Sequence, residues 1–144
     1  MKLRILSPML ILLLINGAYA QKQKDKIGSV GGYQMGYVDC VKQNNMYLFS
    51  YENQNDVHVN DYDDFSIKDE DFEWVYKTLI AGFEGKHKKE IHIPTTLNYV
   101  EVEYTKLFGK MLVRFTQSKK KDALGVSFSE WYSQKEIKKL FGKK

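Results

Sequence analysis

Eight of the chain's 18 acidic residues fall between positions 56 and 73: Asp56, Asp61, Asp63, Asp64, Asp69, Glu70, Asp71 and Glu73. With His58 in the same stretch, the candidate ligands for a divalent cation are His58, Asp61 and Asp63. Bunched oxygen donors suit calcium, and an imidazole shifts the preference towards zinc. The spacing does not complete a calcium loop. A loop begun at Asp61 lacks the central glycine and puts Phe72 where the bidentate acid belongs. The competing reading is a solvated loop running into carboxylates at a helix N-terminus, where unpaired N–H groups favour negative charge.

Catalytic patterns are sparse. The chain has no Gly-x-Ser-x-Gly elbow, no His-Glu-x-x-His, no glycine-rich phosphate loop and no Cys-x-x-Cys. Cys40 with His58, His87 or His92 would make a thiolate pair only if the thiol faced solvent, and the strand pattern turns it inward, where its pKa rises. Glu101 and Glu103 share a strand face about 7 Å apart, a glycosidase-like separation, but alternating glutamates more often mark a solvated face. The sequence thus calls for no cofactor, a divalent cation being the one candidate.

Trp74 is the best candidate for a contact residue. At 100° per residue it points away from the apolar stripe of its helix, in company with Thr78 and Ala81. Either the C-terminal helix or a loop covers it, or it belongs to a binding patch together with Asp61 and Asp63 of the acidic loop. Trp131 is a weaker case, because it lies between a strand and a helix cap. Basic residues gather at Lys119-Lys120-Lys121, at 86–89, and at Lys135, Lys138, Lys139, Lys143 and Lys144. The formal balance is 22 Lys+Arg against 18 Asp+Glu, a net +4. The +2 that remains without residues 1–20, together with the exported location that the N-terminus implies, argues against nucleic acid as a partner.

The N-terminus carries an address. Lys2 and Arg4 precede an apolar run from Ile5 to Ile15, broken only by Ser7 and Pro8, and Ala18-Tyr19-Ala20 is a small-x-small cleavage site before Gln21. Eleven helical residues reach roughly 16 Å, about half of a bilayer's hydrocarbon thickness, so no stable membrane span is expected after cleavage. Residues 1–20 are therefore read as a signal peptide. Cleavage between Ala20 and Gln21 removes two cations and leaves +2. The chain is expected to be exported, either periplasmic or secreted. One cysteine gives no internal disulfide and leaves the oligomeric state open.

Residues 21–32, rich in lysine and glycine, read as a flexible leader, and 33–144 as a single domain. Its hairpins follow from asking which pairing puts apolar residues on one face. Val41 opposite Met46 sets Cys40, Val38 and Gly36 against Tyr47, Phe49 and Tyr51. Thr105 opposite Lys110 sets Tyr104, Val102 and Val100 against Met111, Val113 and Phe115, and Glu101 against Arg114. Phe115 opposite Leu124 sets Val113 against Val126 and Met111 against Phe128. Between the hairpins a helix spans about Asp69 to Glu84, its stripe formed by Phe72, Val75, Tyr76, Leu79, Ile80 and Phe83, with Gly85 as C-cap. A short strand ends at Pro94. Ser133 and Glu136 form a capping box for a short final helix, Tyr132 and Ile137 its hydrophobic staple, and Gly142 its stop.

The expected fold is α+β: one antiparallel sheet of about five to six strands, with a main helix on one face and a short C-terminal helix. The signal ending in Ala20-Gln21 and the close Leu140-Phe141-Gly142-Lys143 resemble small secreted proteins of the bacterial phylum Bacteroidota. That resemblance implies export and no particular activity. The function expected is non-catalytic binding of a protein or cell-envelope component, the alternative being a metal-binding protein or metal-dependent enzyme centred on the acidic loop.

Overall fold

A computed structural model describes residues 24–32, 36–55, 61–86, 91–119 and 126–144. Residues 1–20, His58 and Leu124 lie outside them. The fold is α+β, with two helices and eight strands among the described residues. The strands form two antiparallel sheets of four, where one larger sheet was expected. The first comprises β1 (Asp25–Val30), β2 (Val38–Gln43), β3 (Met46–Glu52) and β4 (Tyr62–Lys68). Helix α1 (Asp69–Phe83) follows directly. The second sheet comprises β5 (Ile91–Ile93), β6 (Tyr99–Leu107), β7 (Lys110–Ser118) and β8 (Ser127–Phe128), and α2 (Gln134–Leu140) closes the chain. In both sheets the spatial order is the chain order.

Alternation of apolar residues tells which face of a strand is buried but not which sheet it joins. The two buried faces converge on one core, where Phe115 lies 5.4 Å from Phe65 and 6.3 Å from Phe49 between ring centres. Both helices wedge against both sheets, α1 on β3, β4 and β7, and α2 on β1, β2 and β7.

The supposed leader is corrected by β1, which pairs with β2 along residues 25–30. Its register shifts between Lys26 and Gly28, and Gly28 lies under α2, where a Cβ would collide with the carbonyl oxygens of Lys139 and Leu140. A glycine that reads as flexibility in the sequence is here a close approach of two backbones.

The first two hairpins are paired two residues away from the expected register. Cys40 faces Phe49 and Val38 faces Tyr51 around a turn of Asn44-Asn45, so Gly36 is not opposite Tyr51. Tyr104 faces Val113 and Val102 faces Phe115 around a turn of Phe108-Gly109. A shift of two leaves every side chain on its expected face, so Cys40 is fully buried. Loss of solvent, with a smaller push from Asp39, raises its thiol pKa to about 12. The charge match moves with the register: Arg114 reaches Glu103 at 2.7 Å, and Glu101 lies beside His92 at 3.4 Å. The third hairpin is shifted by an odd number. Phe128 faces Thr116 on the outer face, under the guanidinium of Arg114 at 4.4 Å.

Both helices form where the sequence predicts, but α1 ends at Phe83 with Glu84 rather than Gly85 as its C-cap, and it packs between two sheets instead of on one face of a single sheet. In α1, Phe72, Val75 and Leu79 are buried, Tyr76, Ile80 and Phe83 pack on the core, and Gly85 follows the end in a left-handed conformation. Ser133 and Glu136 make the reciprocal capping box of α2, Tyr132 and Ile137 are both buried, and Gly142 lies past its end.

Candidate functional site

Three strands carry the same change along their inward faces. From the helix end outwards, β3 presents Tyr47, Phe49 and Tyr51, β4 presents Ile67, Phe65 and Asp63, and β7 presents Val113, Phe115 and Gln117. At one end the helices close the core with rings: Tyr47 stacks on Phe72 at 3.6 Å, and Phe141 lies 4.9 Å from Phe72 and 5.2 Å from Phe49. At the other end the inward positions turn polar, and an open cleft of about 380 Å³ lies between the ends of the two sheets. That volume is enough for a small ligand or one unit of a polymer.

The cleft floor is a buried hydrogen-bond cluster. The hydroxyl of Tyr51, a fully buried residue, lies 2.7 Å from Ser127 Oγ and donates to Gln117 Oε1 at 3.3 Å. Burial, with smaller contributions from Asp63 and Asp64, holds this phenol far above its ordinary pKa, so it stays a protonated donor. With its oxygen committed to Tyr51, the Gln117 amide nitrogen has no hydrogen-bond partner among the described residues, although Gln117 is only 8% exposed. Among the described residues, four with carboxamide side chains line the cleft, Asn53, Asn55, Asn98 and Gln117, together with Asp63, Asp64 and Lys119.

Loop hydrogen bonds fix these side chains. Asn53 Oδ1 accepts from the N–H groups of Asn55 at 2.9 Å and Phe128 at 3.3 Å, and Asn55 donates its amide to the Val126 carbonyl. The Gln54 N–H reaches the Phe128 carbonyl at 2.8 Å, so the end of β3 is tied to β8 across the gap between the sheets. One half of each tied carboxamide is spent on structure. The other half, Asn53 Nδ2 and Asn55 Oδ1, has no partner among the described residues. Such a lining offers both donors and acceptors, and Val126 is its sole aliphatic member among the described residues.

The structure separates the residues picked from the sequence. Asp63 lines the cleft. Asp61 is exposed just before β4, its carbonyl accepting from the Asn53 N–H at 2.8 Å. Among the described residues no three His, Cys, Asp or Glu side chains gather in a metal-binding group. Trp74 is 53% exposed on the outer face of α1, with Thr78 and Ala81 half-buried beside it in the helix, and α2 does not cover it. Instead the segment just after α2 meets α1, through Phe141 and Tyr76 at 5.5 Å and through Lys143 and Glu73 at 2.8 Å. Asp63 and the start of α1 are at opposite ends of β4, about 20 Å apart at 3.3 Å per residue, and Trp74 is not among the described residues that line the cleft with Asp63.

Several other candidates are engaged elsewhere. Arg114 stacks on Trp131 at 4.5 Å and is paired with Glu103. Lys86 and Lys143 pair with Glu84 and Glu73 at 2.8 Å. Sequence reasoning missed Tyr51, Asn53, Asn55, Asn98 and Gln117, which come from three separate segments. One signal was available: a polar Gln117 continues the inward series Val113, Phe115.

No protein-family model, curated protein or solved structure matches the chain.

Proposed function

We propose that this is an exported, non-catalytic binding protein whose cleft takes a hydroxyl-rich group of a cell-envelope component, a sugar unit being the best fit. The observation that carries this reading is Gln117, an inward side chain whose amide nitrogen is unspent in a cleft of half-spent carboxamides. The amide nitrogen is not among the buried unpaired atoms of the described residues, so it opens to the water of the cleft, and a ligand hydroxyl, at once donor and acceptor, suits a carboxamide with one half free. The carboxylates of Asp63 and Asp64 add acceptors for ligand hydroxyls. A protonated Tyr51, locked between Gln117 and Ser127, supports binding rather than proton transfer.

Side-chain amide resonances give the test. Envelope saccharide fragments should shift the signals of Gln117, Asn53 and Asn55, and Gln117→Leu should weaken binding about tenfold, the scale of one hydrogen bond lost to a buried partner. Absence of any shift across neutral, amino and acidic sugars would overturn the reading. Shifts produced by calcium alone would transfer the cleft to the divalent-cation alternative, with Asp63 as a ligand.

A second contact for a protein partner is favoured by one specific observation, the 53% exposure of Trp74 beside Thr78 and Ala81. Large exposed aromatics are over-represented where partners bind.

A further inference from the structure

Two hairpins of this fold turn on two residues, and they do so with opposite chemistry. The β2–β3 turn is Asn44-Asn45, with Asn44 at φ 56. Asparagine tolerates that left-handed backbone. The β6–β7 turn is Phe108-Gly109, closed by Leu107 opposite Lys110, with φ 48 at Phe108 and 79 at Gly109. Both angles are positive, as a type I′ turn requires, and phenylalanine carries a steric penalty at the first position that asparagine or glycine avoids. Burial does not compensate it. Phe108 is 95% exposed and Leu107 50%.

The flanks are cationic. Lys106 and Lys110 are exposed and have no ion pair among the described residues, and from Thr105 to Leu112 there is no acid. Glu103, the first acid back along β6, is neutralised by Arg114 at 2.7 Å. Behind the tip the hairpin is anchored. The Tyr104 hydroxyl donates to the Leu79 carbonyl at 2.7 Å, and Phe83 meets the Tyr104 ring edge-on at 5.6 Å.

We infer that the β6–β7 tip is a membrane contact, with Phe108 and Leu107 entering the interface of an anionic bilayer while Lys106 and Lys110 meet its headgroups. Two apolar side chains on a convex point cover far less than the about 800 Å² per partner of a stable protein interface. A bilayer deforms around such a point, and aromatic residues with lysines are the usual pair at its interface. β6 and β7 each have nine residues, about 30 Å at 3.4 Å per residue. Asn98 and Gln117 are at the far end of that hairpin, so a seated tip holds the cleft about that distance from the lipid. The inference does not depend on what the cleft binds.

Co-sedimentation with vesicles tests it. The protein should bind vesicles of phosphatidylcholine mixed with phosphatidylglycerol, and bind pure phosphatidylcholine more weakly. Replacing Lys106 and Lys110 by Gln should lower affinity for the mixed vesicles roughly fivefold per lysine. Phe108→Asn suits the turn, so it should keep or raise the melting temperature while lowering vesicle affinity about tenfold or more. Equal vesicle binding by Phe108→Asn would overturn the inference. So would a lack of binding to the mixed vesicles, whether or not sedimentation velocity showed a dimer that depends on Phe108.

Discussion

The two ends of the core are built on the same strands to different purposes. Where the helices sit, Tyr47, Phe72 and Phe141 stack into a plug. Where they do not, Tyr51, Asp63 and Gln117 occupy the equivalent inward positions. Tyrosine appears at both ends of β3, and its surroundings decide its role: Tyr47 lies flat on a phenylalanine, whereas Tyr51 spends its hydroxyl on a cluster that spans the gap between the sheets. Packing keeps a protein folded, while polar groups held at fixed positions and left half-satisfied serve a ligand. The difference shows where stability and function have been divided.

Substitution at the plug should have the largest effect. Phe49 is fully buried and touches rings from β4, α1, β7 and the segment after α2. Phe49→Ala should cost about 3–5 kcal/mol, read from the midpoint of denaturant unfolding. Loss of less than about 1 kcal/mol would mean the plug does not carry the fold. High pH should act next. The Cys40 thiol rises from 9.0 to about 12 on folding, and Tyr37 from 10.0 to about 12. For both, the protonated form is favoured in the folded state. Their contribution is complete below the unfolded values and is lost as pH rises through the folded ones. Stability should therefore decline from about pH 9 upwards, and a thiol reagent should label Cys40 at pH 8 only after denaturant is added. Rapid labelling of the native protein would mean that the plug opens readily.

How much of this was legible follows from the period of a strand. Alternation by two identifies the inward set, so Cys40, Phe49 and Val113 were placed on the correct face despite a register error of two. It is silent about partners, which is why two sheets of four read as one. The helix stripe and the Ser133–Glu136 box were legible because their signals are local. The turn at Phe108-Gly109 was not, since a phenylalanine at a left-handed position contradicts the composition of such turns. The cleft was half legible. Asp63 was singled out for its charge, but Asn53, Asn55 and Asn98 meet it only after the sheet ends are tied together.

The open end should respond in the reverse sense to the plug. Gln117→Leu removes one acceptor from Tyr51 but leaves Ser127 Oγ at 2.7 Å, and it replaces a polar inward group by an apolar one. Stability should change by no more than about 1 kcal/mol in either direction. Binding in the cleft should fall while folding does not, and a large destabilisation would show that Gln117 belongs to the structure instead.

The smallest effect on folding is expected outside both ends. At Trp74, more than half of the side chain faces water, and the helix keeps its hold on the core through Phe72, Val75 and Leu79 on the opposite stripe. Trp74→Ala should shift stability by about 0.5 kcal/mol or less, as for most surface substitutions. Any partner that docks on this face would lose an aromatic anchor, a loss of about 2 kcal/mol or more at a hot spot. Capture of a partner that fails with Trp74→Ala but survives Gln117→Leu would give the molecule two independent contacts, one at each end of β4. A fall in stability as large as that of Phe49→Ala would return Trp74 to the core and leave the cleft as the site.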